Sequence, residues 1–155
     1  MTCVRLHGQP KDLSQIPRQL RPKLPKSTQV DLALAHLMNI DTVVHGRGDE
    51  DLLWQMIGGV LTWYRVAICL KLGEPEMLAQ IQLLAGVITR YGRTGSVAFT
   101  GDEYRLAVAG CTQMELLASA VDQLTAIQAA EWSESQLKIM AEGIEAQRRE
   151  LEVAH

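Results

Sequence analysis

Between Leu52 and Leu70 the chain runs for nineteen residues, LLWQMIGGVLTWYRVAICL, with a single charge, Arg65. A stretch that long and apolar either spans a bilayer or becomes the helix around which a core is built. Its polar residues decide between these. Gln55, Thr62 and Arg65 would sit in hydrocarbon, where a mid-span arginine costs on the order of 2.5 kcal/mol or more. Acids crowd one flank (Asp49, Glu50, Asp51), and no aromatic belt marks both ends. The expectation is a central helix shielded by protein, with no membrane partner.

Such a helix needs neighbours to cover it, and the rest of the chain supplies them. At 155 residues it has the length of one domain with a real core. Aromatics make up only 5%, and Leu, Ala, Val, Ile and Met carry the apolar content, a mix that suits helices better than strands. Helix one follows Pro25, with Ser27 or Thr28 as N-cap and apolar positions from Val30 to Ile40. Thr42–Gly48 reads as a loop or short strand. Helix two opens on the three acids, which favour the positive end of the helix dipole, and runs to Leu72 with Gly73 just past its end. Gly58-Gly59 in its middle marks a close helix approach or a kink. Helix three starts at Glu74-Pro75, proline being favoured at the first position, and ends at Gly92. Helix four opens on the capping box Thr100-x-x-Glu103 and continues to about Ala130; helix five opens on a second box, Ser133-x-x-Gln136. The predicted fold is all-α, a bundle of about five helices over residues 27–155. Two apolar seams on helix four, through Tyr104, Val108, Cys111 and Met114 and through Leu106, Leu117, Leu124 and Ile127, call for two neighbours. A homodimer would provide one of them.

Residues 1–26 form a different kind of segment. They hold Pro10, Pro17, Pro22 and Pro25, four of the five prolines, which deny the backbone its amide donors and block helix continuation. An extended arm is expected, pinned to the body through Leu13, Ile16, Leu20 and Leu24. Charge also divides here. Residues 1–30 carry six basic side chains against Asp12, a net of +5, and the remaining 125 residues carry −8. A basic arm on an acidic body either lies on that body or reaches for an acidic partner.

Motifs for chemistry are few. His7, His36, His45 and His155 are scattered, with no HExxH and no Cys/His pair at ligand spacing. Asp49, Glu50 and Asp51 lack the alternating spacing of a calcium loop and are already explained as helix-start acids. Cys3, Cys69 and Cys111 are an odd number without a CxxC, which points to a reducing compartment, and the first residues lack the apolar core of a signal peptide. Neither a metal, a cofactor nor a catalytic residue is expected. The segment Arg90–Glu103, RYGRTGSVAFTGDE, is the most informative. Glycines that can expose backbone amides sit beside Arg90 and Arg93, which could hold a phosphate or carboxylate in a fork. The alternative is structural: caps at Gly92 and Thr100, a turn at Gly95, and Phe99 plugging the core.

That segment, together with LPKSTQVDLALAH from Leu24 and the apolar helix after the acids, resembles a group of small phage- and prophage-type accessory proteins over residues 24–126. The resemblance implies a bacterial cytoplasm and a mobile-element lifestyle, in which small helical proteins bind and disable or redirect a host complex, such as a CRISPR effector. That group offers no catalytic residues to carry over. The expected function is therefore a non-enzymatic protein-binding module, with contacts at Arg18, Arg21, Lys23 and Lys26 of the arm and Arg90, Tyr91 and Arg93 of the loop. A small nucleic-acid-binding regulator and an enzyme whose site is assembled only in three dimensions are the alternatives.

Overall fold

A computed structural model describes residues 15–154; the arm residues before Gln15, including Cys3, His7, Pro10 and Leu13, and His155 lie outside the described residues. The order is a 3-10 turn at Arg18–Leu20, then α1 (Lys26–Val44), α2 (Glu50–Leu70), α3 (Glu74–Thr94), α4 (Gly101–Ala120) and α5 (Gln123–Val153). Five helices form an all-α bundle, as the periodicity predicts. α2 packs against α5 and α3, α1 packs against α4, and α3 packs against α4.

α2 is long and apolar enough to cross a membrane by length and composition, yet its Leu53, Met56, Val60, Val66 and Ala67 are each at most 1% exposed inside the bundle. Arg65 is accommodated without leaving the helix. Its guanidinium lies 5.3 Å from the ring centroid of Trp132 on α5, a cation–π contact that holds the charge at the helix interface. Asp49 caps the helix by accepting from the Leu52 amide at 2.8 Å.

The two central glycines divide their work. Gly58 marks a close approach: its carbonyl accepts from Ser133 Oγ of α5 at 2.7 Å, and a Cβ there would lie 2.9 Å from Leu137 Cδ1. A Cβ on Gly59 would meet nothing within 4 Å. Gly59→Ala should stabilise the protein by about 1 kcal/mol, the propensity difference. Gly58→Ala should forfeit that gain by displacing Leu137 and come out neutral or destabilising. Urea unfolding of the two variants checks this; equal shifts would contradict the asymmetry.

Several boundaries differ from expectation. α1 runs through Thr42–Val44 because Val43 is buried and the Thr42 hydroxyl donates to Met38 O at 2.9 Å; tertiary burial outweighs the weak helix propensity of β-branched residues. Its N-cap position is Pro25, with no side-chain cap, in place of Ser27 or Thr28. α2 ends at Leu70 on a left-handed Lys71 (φ 53°). Gly73 (φ 71°) instead begins α3, where any Cβ would overlap the Gln113 amide. α3 passes Gly92 and stops at Thr94 on left-handed Gly95. The largest correction concerns α4, which ends at Ala120. Val121 turns extended (ψ 143°) and Asp122 caps α5, so Ser133 lies inside a helix and serves the contact with Gly58 in place of a cap.

Candidate functional site

The described part of the basic arm is stitched across the ends of two helices. Lys23 Nζ donates to the carbonyl of Ala120, the last residue of α4, at 2.7 Å, and Arg18 donates to the carbonyl of Cys69 near the end of α2. Cations at helix C-termini satisfy orphan carbonyls and complement the dipole. The backbone joins in: Gln123 N donates to Pro22 O at 2.8 Å, Lys23 pairs with Asp122 as an isolated bridge, and Gln123 Nε2 donates to Lys23 O at 3.1 Å.

Asp122 is the centre of this latch. Its side chain is fully buried and lies 3.8 Å from Arg21. It accepts from Thr125 N at 2.9 Å and Thr125 Oγ1 at 2.7 Å. Burial alone would raise its pKa, but the Thr125 hydrogen bonds and the Arg21 charge outweigh that and hold the carboxyl below its usual range. Arg18, Arg21 and Lys23 are thus engaged within the chain, while Lys26 is exposed at the start of α1.

The Arg90–Glu103 segment is likewise tied internally at one point. Arg90 forms a fork on Glu103, at 2.6 and 3.3 Å, and also donates to Ala98 O at 2.7 Å. Glu103 completes the capping box by accepting from Thr100 N at 2.7 Å while Thr100 Oγ1 accepts from Glu103 N at 3.2 Å. The carboxylate fork foreseen for Arg90 is therefore met by the protein's own acid, and it clamps α3 to α4. Desolvation opposes the charge on Glu103, but Arg90 and Thr100 more than compensate and lower its pKa.

Tyr91 and its surroundings are different. Tyr91, Gly92 and Gly95 form one wall of a cleft of about 420 Å³, completed by Glu50, Leu53 and Trp54 from the start of α2, Ile88 from α3, and Ile144 and Arg148 from the far half of α5. Ile88 also borders an apolar recess of about 130 Å³ between α2 and α3, over which Met140 of α5 lies. Arg93 is exposed in the last turn of α3 beside this wall. The floor is aliphatic and aromatic, and one acid and one base stand at the rim. That arrangement suits an apolar side chain entering from outside, flanked by polar pairing.

No protein-family model, curated protein or solved structure matches the chain. Trp54, Ile144 and Arg148 escaped the sequence reading. A signal exists for Ile144 and Arg148: Leu137, Met140, Ile144 and Arg148 recur at three- and four-residue steps, which puts them on one face of α5. No group of three or more His, Cys, Asp or Glu side chains able to hold a metal ion occurs among the described residues. Cys69 and Cys111 are free and half-buried.

Proposed function

We propose that this chain is a non-enzymatic helical module that binds another protein through the α2–α3–α5 cleft. One observation carries the reading: Trp54, Tyr91, Ile88 and Ile144 converge on an open cleft with Glu50 and Arg148 at its rim. Binding hot spots favour aromatic anchors and arginine in such desolvated, rim-protected settings. Tyr91 and Arg93 keep their place as contact residues; Arg90 acts by holding the wall in position.

The resemblance of the Arg90–Glu103 stretch to phage- and prophage-type accessory proteins supports a more specific version. In it the module works in a bacterial cytoplasm, and the partner is a host complex, such as a CRISPR effector, that it inhibits or redirects. The nucleic-acid alternative draws on the arm, where Arg18, Arg21 and Lys23 already have partners in the chain. Phosphate contacts would have to displace them.

Placing a photo-crosslinking side chain at Tyr91 or at Ile144 and irradiating in a bacterial host extract tests the cleft. Both positions should give the same discrete adduct, and the same probe at exposed Glu131 should not. Indiscriminate adducts from all three positions would remove the cleft from the account.

A further inference from the structure

The α1/α4 seam carries an apolar surface that no other helix among the described residues covers. On α1, Val30, Leu34, Leu37 and Val44 are 46%, 48%, 42% and 53% exposed, and with Lys26 and Asp41 they recur at steps of three and four residues along one stripe. Two shallow grooves lie along it. One, of about 350 Å³, lies between Val30 and Leu116 near the start of α1; the other, of about 360 Å³, lies between Leu37, Val44 and Tyr104 near its end. Single exposed apolar residues are ordinary on a protein surface; a continuous stripe along a helix of 19 residues marks an interaction face.

The charges on the stripe identify the occupant. Lys26 is the first residue of α1, at the positive end of the dipole, with no acid in that turn, and Asp41 lies in the last turn, at the negative end, where its carboxylate is 3.3 Å from the ring of His45, the residue that caps the helix. Both charges therefore oppose the helix that carries them. An antiparallel second copy of α1 removes the conflict, because the register that sets Lys26 against Asp41 of the second copy also sets Val30 against its Leu37 and Ala33 against its Leu34. Two-fold symmetry repeats each pairing, so the same surface complements itself. We propose that the chain forms a homodimer through α1, antiparallel and in this register, with the apolar stripe closed between two symmetry-related Lys26–Asp41 pairs. The stripe shares no residue with the α2–α3–α5 cleft, so the dimer is independent of the proposed binding function.

Sedimentation equilibrium on the full chain reads the association directly. Wild type should be dimeric, and Leu34→Glu should raise the dimer dissociation constant about 100-fold or more by burying carboxylates at the two-fold axis. Lys26→Glu and Asp41→Lys should each weaken association about 5- to 10-fold through like-charge contacts, and the double variant should restore it. Each reversal improves the match of α1 to its own dipole, so weaker association in either cannot come from a frayed helix; unchanged helicity by circular dichroism gives the same control for Leu34→Glu. A monomeric wild type, a dimer indifferent to Leu34→Glu, or a double variant that stays as weak as the singles would overturn the proposal.

Discussion

Asp122→Ala should destabilise the protein by about 3 kcal/mol, a loss of roughly 10 °C in melting temperature for a domain of this size. The substitution removes the α5 N-cap, worth about 1 kcal/mol, and costs two more groups a contact. Thr125 Oγ1 loses its acceptor at a position 3% exposed, and Arg21, whose Nε still donates to Ile16 O at 2.9 Å, keeps a largely buried charge without the Asp122 carboxylate beside it. Asp122→Asn keeps an oxygen acceptor for the cap and should lose clearly less. The latch also predicts a local effect. Tryptic cleavage after Lys23 should accelerate in Asp122→Ala, because Lys23 and Gln123 hold the arm only while α5 starts where it does, whereas Arg18 is held on the Cys69 carbonyl of α2. A variant as stable and as protease-resistant as wild type would show that the arm is held by something else.

The second large effect is a response to acid. His36 on α1 is 7% exposed, its Nε2 has no hydrogen-bond partner among the described residues, and burial lowers its pKa from 6.5 to about 4. Between those values the unfolded chain binds a proton that the folded protein refuses. Stability therefore falls as pH drops from 6.5 towards 4, by about 3 kcal/mol in all. The carboxylates with lowered pKa, Asp122 and Glu103, begin to lose their contributions only as pH falls towards their ordinary values of 3.8 and 4.5, so the window from 6.5 to about 5 belongs to the histidine. His36→Leu should flatten the stability profile there. At neutral pH it should be no less stable than wild type, since it replaces an unpaired buried polar atom with apolar volume. Urea midpoints at pH 7 and pH 4.5 check this; parallel losses in the two proteins would contradict it.

These two residues also show what sequence can and cannot reveal. Helix number and class are legible because periodicity and caps are local. The Thr100-x-x-Glu103 box, Pro75 at the start of α3 and the acids before α2 each act within four residues of where they stand, and all three stand as expected. The break between α4 and α5 is not local. Asp122-x-x-Thr125 is a cap pattern embedded in an apolar run, and what turns the chain there is the burial of Val121 together with backbone bonds from an arm a hundred residues earlier. Ser133 misleads for the opposite reason: a cap-like residue spends its hydroxyl on another helix.

The site follows the same division. Arg90 reads as an anion fork, and it is one, but its carboxylate is Glu103, thirteen residues on. The cations of the arm read as a surface for a partner, but Arg18 and Lys23 close the ends of α2 and α4, and Arg21 faces the Asp122 cap of α5. The cleft joins the start of α2 to the far half of α5, and no spacing in the chain announces that Trp54 and Ile144 share a wall. Tyr91, with Gly92 and Gly95, is the part of the cleft that the sequence marks, as an aromatic beside glycines and arginines.

The choice between cleft and arm can be settled by comparing how two paired variants capture the protein that crosslinks to the cleft, under identical conditions. Tyr91→Ala with Ile144→Ala should cut capture about 30-fold or more, equivalent to the 2 kcal/mol of a hot spot, with helicity retained. Arg18→Gln with Lys23→Gln should lower stability and leave capture by the folded protein intact. Full capture by the cleft variant, with loss in the arm variant, would return the work to the basic arm and contradict the account.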